Sequence, residues 1–352
     1  MTDLPQDHAA AAGSSAALPP DATTVAAAYR ELTAGAGLVD RSASGKLALT
    51  GAEARTFLTG QVTADVEALA PGTGTYAALL TPKGKIVADL RILHVGRSDE
   101  DVELLLLCER SGLQALFDHL RRHLVGYDVE LHKRTLQLGL LSLVGPRADG
   151  VAGAAAAGLG AEEHASAASE VDGVAVRLVR TAAGVDVLPA GDDVDAVRDA
   201  LVARGAVPVD DDAAEVLRVE AGRPRLHHEM DDSVMPAEAG IVERAVSFTK
   251  GCYVGQETVA RLHWRGRPNR HLRGLRLDRA VPVGTVIVQD GRELGRVTTS
   301  VDSPAHGPIA LALVRREVEP ESTVVLRPGE GGPTSARVVA LPFRHAGPGS
   351  TA

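Results

Sequence analysis

Up to about Pro268 the apolar positions of this chain follow two interleaved periods. Leu113, Leu116, Phe117, Leu120 and Leu124 recur at three- and four-residue spacing, which predicts an amphipathic helix over Gly112 to Val125. Val194, Val197, Leu201 and Val202 form a similar stripe and predict a helix from Asp192 to Ala203. Thr24 to Leu32 and Asp212 to Ala221 read as further helices, and the Ala-rich run Val151 to Ala168 as a helix with a loop. Strand signals lie between them at Gly45 to Leu49, Leu104 to Leu107, Leu136 to Val144 and Val174 to Val179. Tyr76 to Leu80 and Lys85 to Val95 predict a hairpin closed by Thr81-Pro82-Lys83-Gly84. This mixture places the chain in the α+β class.

Beyond Pro268 the pattern changes to short strands with turn signals: His271 to Leu277, Thr285 to Gln289, Glu293 to Ser300, Ile309 to Arg315 and Thr323 to Leu326, with a hairpin turn at Asp290-Gly291. A small closed β unit is expected there. At 352 residues the chain exceeds one ordinary core. The predicted division is a disordered tail at 1–23, an α+β region at 24–268 whose second subdomain spans roughly 130–210, a β unit at 269–343 and a flexible tail at 344–352.

Composition narrows the class without altering that division. Hydrophobic residues make up 45% of the chain and aromatics only 3%, so Leu, Val and Ala must fill the cores. A formal charge of -9 argues against a general nucleic-acid or anionic-membrane surface. The two cysteines, Cys108 and Cys252, suggest no extracellular disulfide framework, and a cytoplasmic location is expected. No apolar run approaches the ~18 residues of a membrane span, and residues 1–23 lack the basic-then-apolar order of a signal peptide.

The chemistry concentrates in Lys250-Gly251-Cys252-Tyr253-Val254-Gly255-Gln256-Glu257. Glycines at 251 and 255 permit positive φ and close backbone approach, and the residues from Glu257 to Arg261 predict the opening of a helix. A thiol near helix amides and an ammonium favours its thiolate, which suits Cys252 to be a nucleophile, a redox thiol or a soft metal ligand. The plainer alternative is a small buried filler. Gln256 and Glu257 are placed to brace the turn or to bond a ligand. Arg261, Arg265, Arg267, Arg270, Arg273, Arg276 and Arg279, with Trp264 among them, read either as a solvated face or interdomain clamp or as an RNA contact. Adjacent His227 and His228 point oppositely in extended chain and make a poor chelate, and the glycine pairs near 35 and 72 lack the context of a dinucleotide fingerprint.

The octapeptide, with Ala260-Arg261 after it, resembles the signature of the YgfZ folate-binding proteins, relatives of the glycine-cleavage T protein (aminomethyltransferase) that are linked to iron-sulfur cluster assembly and repair. Gly51 to Leu58, Tyr76 to Leu80, Gly84 to Leu90, Leu217 to Gly222 and Pro236 to Gly240 extend the likeness, which covers about Ala26 to Leu341. The resemblance implies two intertwined α+β domains and a C-terminal β-barrel around a central opening, with tetrahydrofolate or another reduced folate as cofactor. It implies Glu220 as the carboxylate that pairs with the pterin edge, Arg261 as the partner of the folate's glutamate tail, and Lys250, Gly251, Tyr253, Gly255, Gln256 and Glu257 as the binding loop. Cys252 is then the chemically active group and Asp89 an acid-base candidate. The enzyme family carries two adjacent acids where this chain has Ala88-Asp89, and an aspartate where Cys252 stands; Gly240 follows the enzyme form, where many YgfZ relatives have asparagine. The expected function is a folate-binding protein that supports iron-sulfur assembly machinery or client enzymes through Cys252. The alternatives are a tetrahydrofolate-dependent aminomethyltransferase of glycine cleavage and a tRNA-modification accessory.

Overall fold

The computed structural model describes residues 22–329 and 332–344, so the tails expected at 1–23 and 344–352 lie almost entirely outside the described residues. Across its width the first sheet orders Gly74–Leu80, Ile86–His94, Glu103–Cys108, Gly45–Thr50 and Glu130–Lys133, with every neighbour antiparallel. Both of its faces are covered. Alternate side chains of a strand point to opposite faces, so Ala88, Leu90, Ile92, Leu104 and Leu106 pack beneath the helices Ala54–Gln61 and Leu113–His123. Leu93, Leu105 and Leu107 meet Val179 and Leu188 of the second sheet and Leu140, just ahead of its strand Leu141–Val144. The run Leu104 to Leu107 is apolar throughout because its strand is buried on both sides.

The second sheet orders Val207–Pro208, Gly37–Asp40, Leu141–Val144, Gly184–Pro189, Val174–Thr181 and Ser166–Val171. Gly37–Asp40 precedes the first sheet in the chain yet pairs with Leu141–Val144 of the second, so the two α+β units are intertwined as the resemblance implies. The expected strand Leu136 to Val144 keeps regular pairing only from Leu141, because Gln137 and Leu138 turn back to donate to the Arg134 carbonyl and Leu136 is exposed. The predicted helix over Val151 to Ala168 is two short helices, Ala148–Ala152 and Ala154–Ala157, parted by Gly153 at φ 100°, and its last residues enter the strand Ser166–Val171.

A closed barrel of Arg270–Leu277, Gly307–Arg315, Arg292–Ser303, Val286–Gln289, Thr323–Arg327 and Thr334–Val339 follows. Asp290 and Gly291 both have positive φ, 50° and 77°, as the tight turn between Val286–Gln289 and Arg292–Ser303 requires. Helix Asp211–Glu220 ties the barrel to the sheets. Val219 packs with Leu272, Ile309, Leu311 and Phe343, and Arg218 bonds Glu215, Glu229 and Thr299.

One polar contact pins the sheets together. Arg91 donates to Asp186 at 2.6 Å, and Ser142 donates to the other Asp186 oxygen at 2.6 Å. Asp186 is buried, so removing it leaves Arg91 and Ser142 facing each other without an acceptor. Asp186→Ala is expected to lower stability by about 3 kcal/mol, measured by urea denaturation.

Candidate functional site

The strand Ile86–His94 sends Ala88 into the helix-covered core and Asp89 to the opposite side with Arg91. On the neighbouring strand Tyr76 lies opposite Arg91 and Ala78 opposite Asp89, so tyrosine and carboxylate share a face. The Tyr76 hydroxyl donates to Asp89 Oδ2 at 2.9 Å, while the shielded Oδ1 has no partner among the described residues. Burial pushes the Asp89 carboxyl up to about 6; Tyr76 and Arg244 pull it down and Glu109 pushes it up further. Burial, and next Asp89, hold the Tyr76 phenol well above its usual value. Arg244 lies 4.9 Å over the Tyr76 ring. A carboxyl titrating near 6 with one unpartnered oxygen can give and take protons close to neutrality.

Glu163 joins this group to a cleft of about 990 Å³ between the second sheet, helix Asp211–Glu220 and the barrel. It accepts from Arg223 at 3.1 Å and from Arg244 at 3.4 Å. Burial opposes ionisation of Glu163, but Arg223, Arg244 and His164 outweigh it and hold the carboxyl below its ordinary value. Glu220, the predicted pterin carboxylate, lines the same cleft at the end of its helix. Its two oxygens accept from Tyr29 at 3.0 Å and Ser303 at 2.5 Å, which fixes the carboxylate and leaves lone pairs for two parallel N–H donors. The orphaned Asp89 Oδ1 and the clamped Glu220 are each an acceptor of the kind that a pterin N–H requires.

The Lys250 to Glu257 loop is built mostly for packing. Tyr253 is buried with Ala78, Leu80 and Ile86 of the hairpin, and burial raises its phenol to about 12. Lys250 bonds the Thr59 carbonyl and lies 4.6 Å over the Tyr253 ring; burial lowers its ammonium to about 8, while Asp65, Glu67 and Cys252 act to raise it. Gly255, at φ 86°, has no room for a side chain, since a Cβ there would come 2.6 Å from the Thr81 carbonyl. The space beside Gly251 is open. Cys252 is exposed, whereas Cys108 is buried with its thiol pushed to about 12, first by burial and next by Asp89.

Several expectations change here. The helix opens at Gln256 with Gly255 as its cap, so Cys252 stands outside the helix start rather than at it. Glu257 does not brace the turn and Arg261 does not face the cleft; their side chains are 89% and 74% exposed and pair with each other at 3.1 Å. Gln256 is half-buried in the first helical turn. Gly240 caps helix Pro236–Ala239 in the left-handed conformation, which asparagine also tolerates, so its exchange is a backbone matter. The arginine run is dispersed: Arg270 bonds buried Glu238 at 3.0 and 3.1 Å, Arg276 the Arg344 carbonyl and Arg279 the Gly332 carbonyl. Those three serve as ties between segments, the clamp reading of the run, while Trp264, Arg265 and Arg267 are exposed. Tyr76 lies in the expected hairpin on the face of Asp89, although a register shift at Leu79 and Leu80 sets it opposite Arg91; Glu163, Arg223 and Arg244 carried no local signal.

Two sheets, a closed barrel and a half-buried carboxyl where they converge define a protein of the glycine-cleavage T class. Residues 15–250 match the GCVT N-terminal domain and residues 270–344 the glycine cleavage T-protein C-terminal barrel domain. Aminomethyltransferase of Herpetosiphon aurantiacus is 30% identical over 92% of this chain and 90% of its own, and that of Geobacillus kaustophilus 32% identical over 88% and 87%. The chain belongs to the glycine-cleavage T-protein (aminomethyltransferase) family, whose cofactor is tetrahydrofolate. The crystal structure of glycine cleavage system aminomethyltransferase T from Bartonella henselae shares the fold, with a TM-score of 0.80 at 23% identity over 91% of this chain and 90% of that one. Among the described residues no helix is long and apolar enough to cross a membrane.

Exposure separates the thiols. A thiol reagent is expected to label Cys252 in the native protein and Cys108 only after denaturation, seen as one and then two equivalents by mass spectrometry. Asp89 binds its proton more tightly folded than unfolded, so folding takes up a proton between about 4 and about 6 and stability falls as pH rises through that window. Asp89→Asn removes this slope. Its melting temperature should rise relative to wild type as pH goes from 4.5 to 6.5.

Proposed function

We propose that this protein binds tetrahydrofolate in the central cleft, with Glu220 on the pterin edge, and performs one-carbon transfer of the aminomethyltransferase kind with Asp89 managing the proton at the folate nitrogens. One observation carries the reading: the carboxyl of Asp89, titrating near 6, keeps an unpartnered oxygen beside Tyr76 and Arg244. The alanine at 88 does not weaken it. That side chain lies in the apolar core, on the face away from Asp89, where an acid would not reach the same ligand. Curated relatives named aminomethyltransferase support the same chemistry.

A second reading shares the folate site and assigns the chemistry to Cys252. The exposed thiol in Lys-Gly-Cys-Tyr-Val-Gly-Gln-Glu, together with the likeness of that string to the YgfZ signature, supports a cytoplasmic role in iron-sulfur cluster assembly or repair, with the assembly machinery or its client enzymes as partners.

The two readings separate in one set of measurements. Titration calorimetry should show tetrahydrofolate binding that Glu220→Ala weakens at least roughly ten-fold. Aminomethyl transfer from an aminomethylated lipoyl carrier protein to tetrahydrofolate should then fall on the order of 10² in Asp89→Asn and stay unchanged in Cys252→Ala. Folate binding without turnover, joined to loss of cluster-dependent enzyme activity in cells carrying Cys252→Ala, would instead establish the thiol reading. Absence of folate binding sinks both.

A further inference from the structure

Two guanidiniums in this molecule converge on a single carboxylate beside the proposed ligand site. Arg223 follows Glu220 past the left-handed turn at Gly222, and Arg244 leans over Tyr76, the partner of Asp89. Both reach Glu163, Arg223 at 3.1 Å and Arg244 at 3.4 and 3.5 Å to its two oxygens. All three side chains remain partly exposed, at 39%, 36% and 29%. Pairs that wet add little to stability, so holding the fold together does not account for the cluster. Glu163 comes from the connection between the helix Ala154–Ala157 and the strand Ser166–Val171, and it lines the cleft. Two positive charges there face one negative charge.

We infer that Arg223 and Arg244 form a carboxylate-binding subsite beside the cleft, behind the Glu163 that lines it, and that Glu163 fills this subsite as an internal plug which an anionic ligand displaces. A guanidinium presents parallel N–H donors matched to a carboxylate, and a pair of them suits a ligand end that carries two such groups. For the folate proposed above, on which only the naming of the ligand rests, that end is the glutamate tail. The subsite takes the role that the sequence had given to Arg261, whose side chain lies in solvent against Glu257. The cluster also connects ligand capture to the acid: Arg244 released from Glu163 stays stacked on Tyr76, which bonds Asp89.

Anaerobic titration calorimetry tests this with tetrahydrofolate, with 6-methyltetrahydropterin, which has the ring but no glutamate, and with N-(4-aminobenzoyl)glutamate, which is the tail alone. Glu163→Gln keeps the shape and removes the competing charge. It is expected to tighten tetrahydrofolate roughly ten-fold and to leave 6-methyltetrahydropterin unchanged, whereas Arg223→Gln should weaken tetrahydrofolate roughly ten-fold with the same indifference to the tailless ring. Equal effects on both pterins, or none on either, overturn the subsite. If wild type binds neither pterin, the folate reading has failed, and the tail fragment decides alone: tighter binding to Glu163→Gln upholds the subsite, and no binding to either protein removes it.

Discussion

A strand covered on both faces must send every second side chain into each layer, and this constraint on Ile86–His94 orders the rest of the molecule. Ala88, Leu90 and Ile92 go beneath the helices, so Asp89 and Arg91 go to the opposite side, toward Tyr76 and the second sheet. Arg91 spends its charge on Asp186 and fixes the sheets; Asp89, two residues away, is left with a tyrosine, a distant arginine and one buried oxygen without a partner. Structural and chemical roles thus divide along a single strand by position, and the shift in the Asp89 carboxyl follows from the depth at which its neighbour anchors the interface.

The octapeptide that dominates the sequence shows the same division. Tyr253, Gly255 and Lys250 face inward: the ring fills a core with the hairpin, the glycine admits the Thr81 turn, and the lysine lies over the ring and bonds the Thr59 carbonyl. Gly251 and Cys252 are left outward. A loop held this firmly from beneath presents its thiol on a rigid base, and its packing residues serve any chemistry the thiol performs.

Much of the fold was legible because it rests on period. The helices over 113–123, 194–203 and 211–220, the first hairpin and the barrel with its Asp290-Gly291 turn follow from spacing and turn chemistry. Gly184–Pro189 and Thr334–Val339 escaped notice because strands buried on both sides, or short and polar, leave weak alternation. Of the site, Asp89, Glu220 and Cys252 were visible as residue types. Their surroundings were not, since Glu163, Arg223, Arg244 and Tyr29 come together only through contacts between distant stretches of chain. Arg261 and Glu257 misled for a plain reason: a helix shows opposite faces to core and solvent, and a motif written along it includes residues from both.

The placement of Gly37–Asp40 bears on how the chain comes into being. This strand leaves the ribosome before any of the first sheet, yet its antiparallel neighbour Leu141–Val144 follows only once that sheet's last strand is made, and its parallel neighbour Val207–Pro208 comes much later still. The nascent protein therefore carries an unmatched apolar edge while the first unit is already able to close, and the second can only assemble around it afterwards. No single cleavage of the backbone yields two pieces that each own their full sheet, which makes the pair of units one inheritable block in evolution as well as in folding.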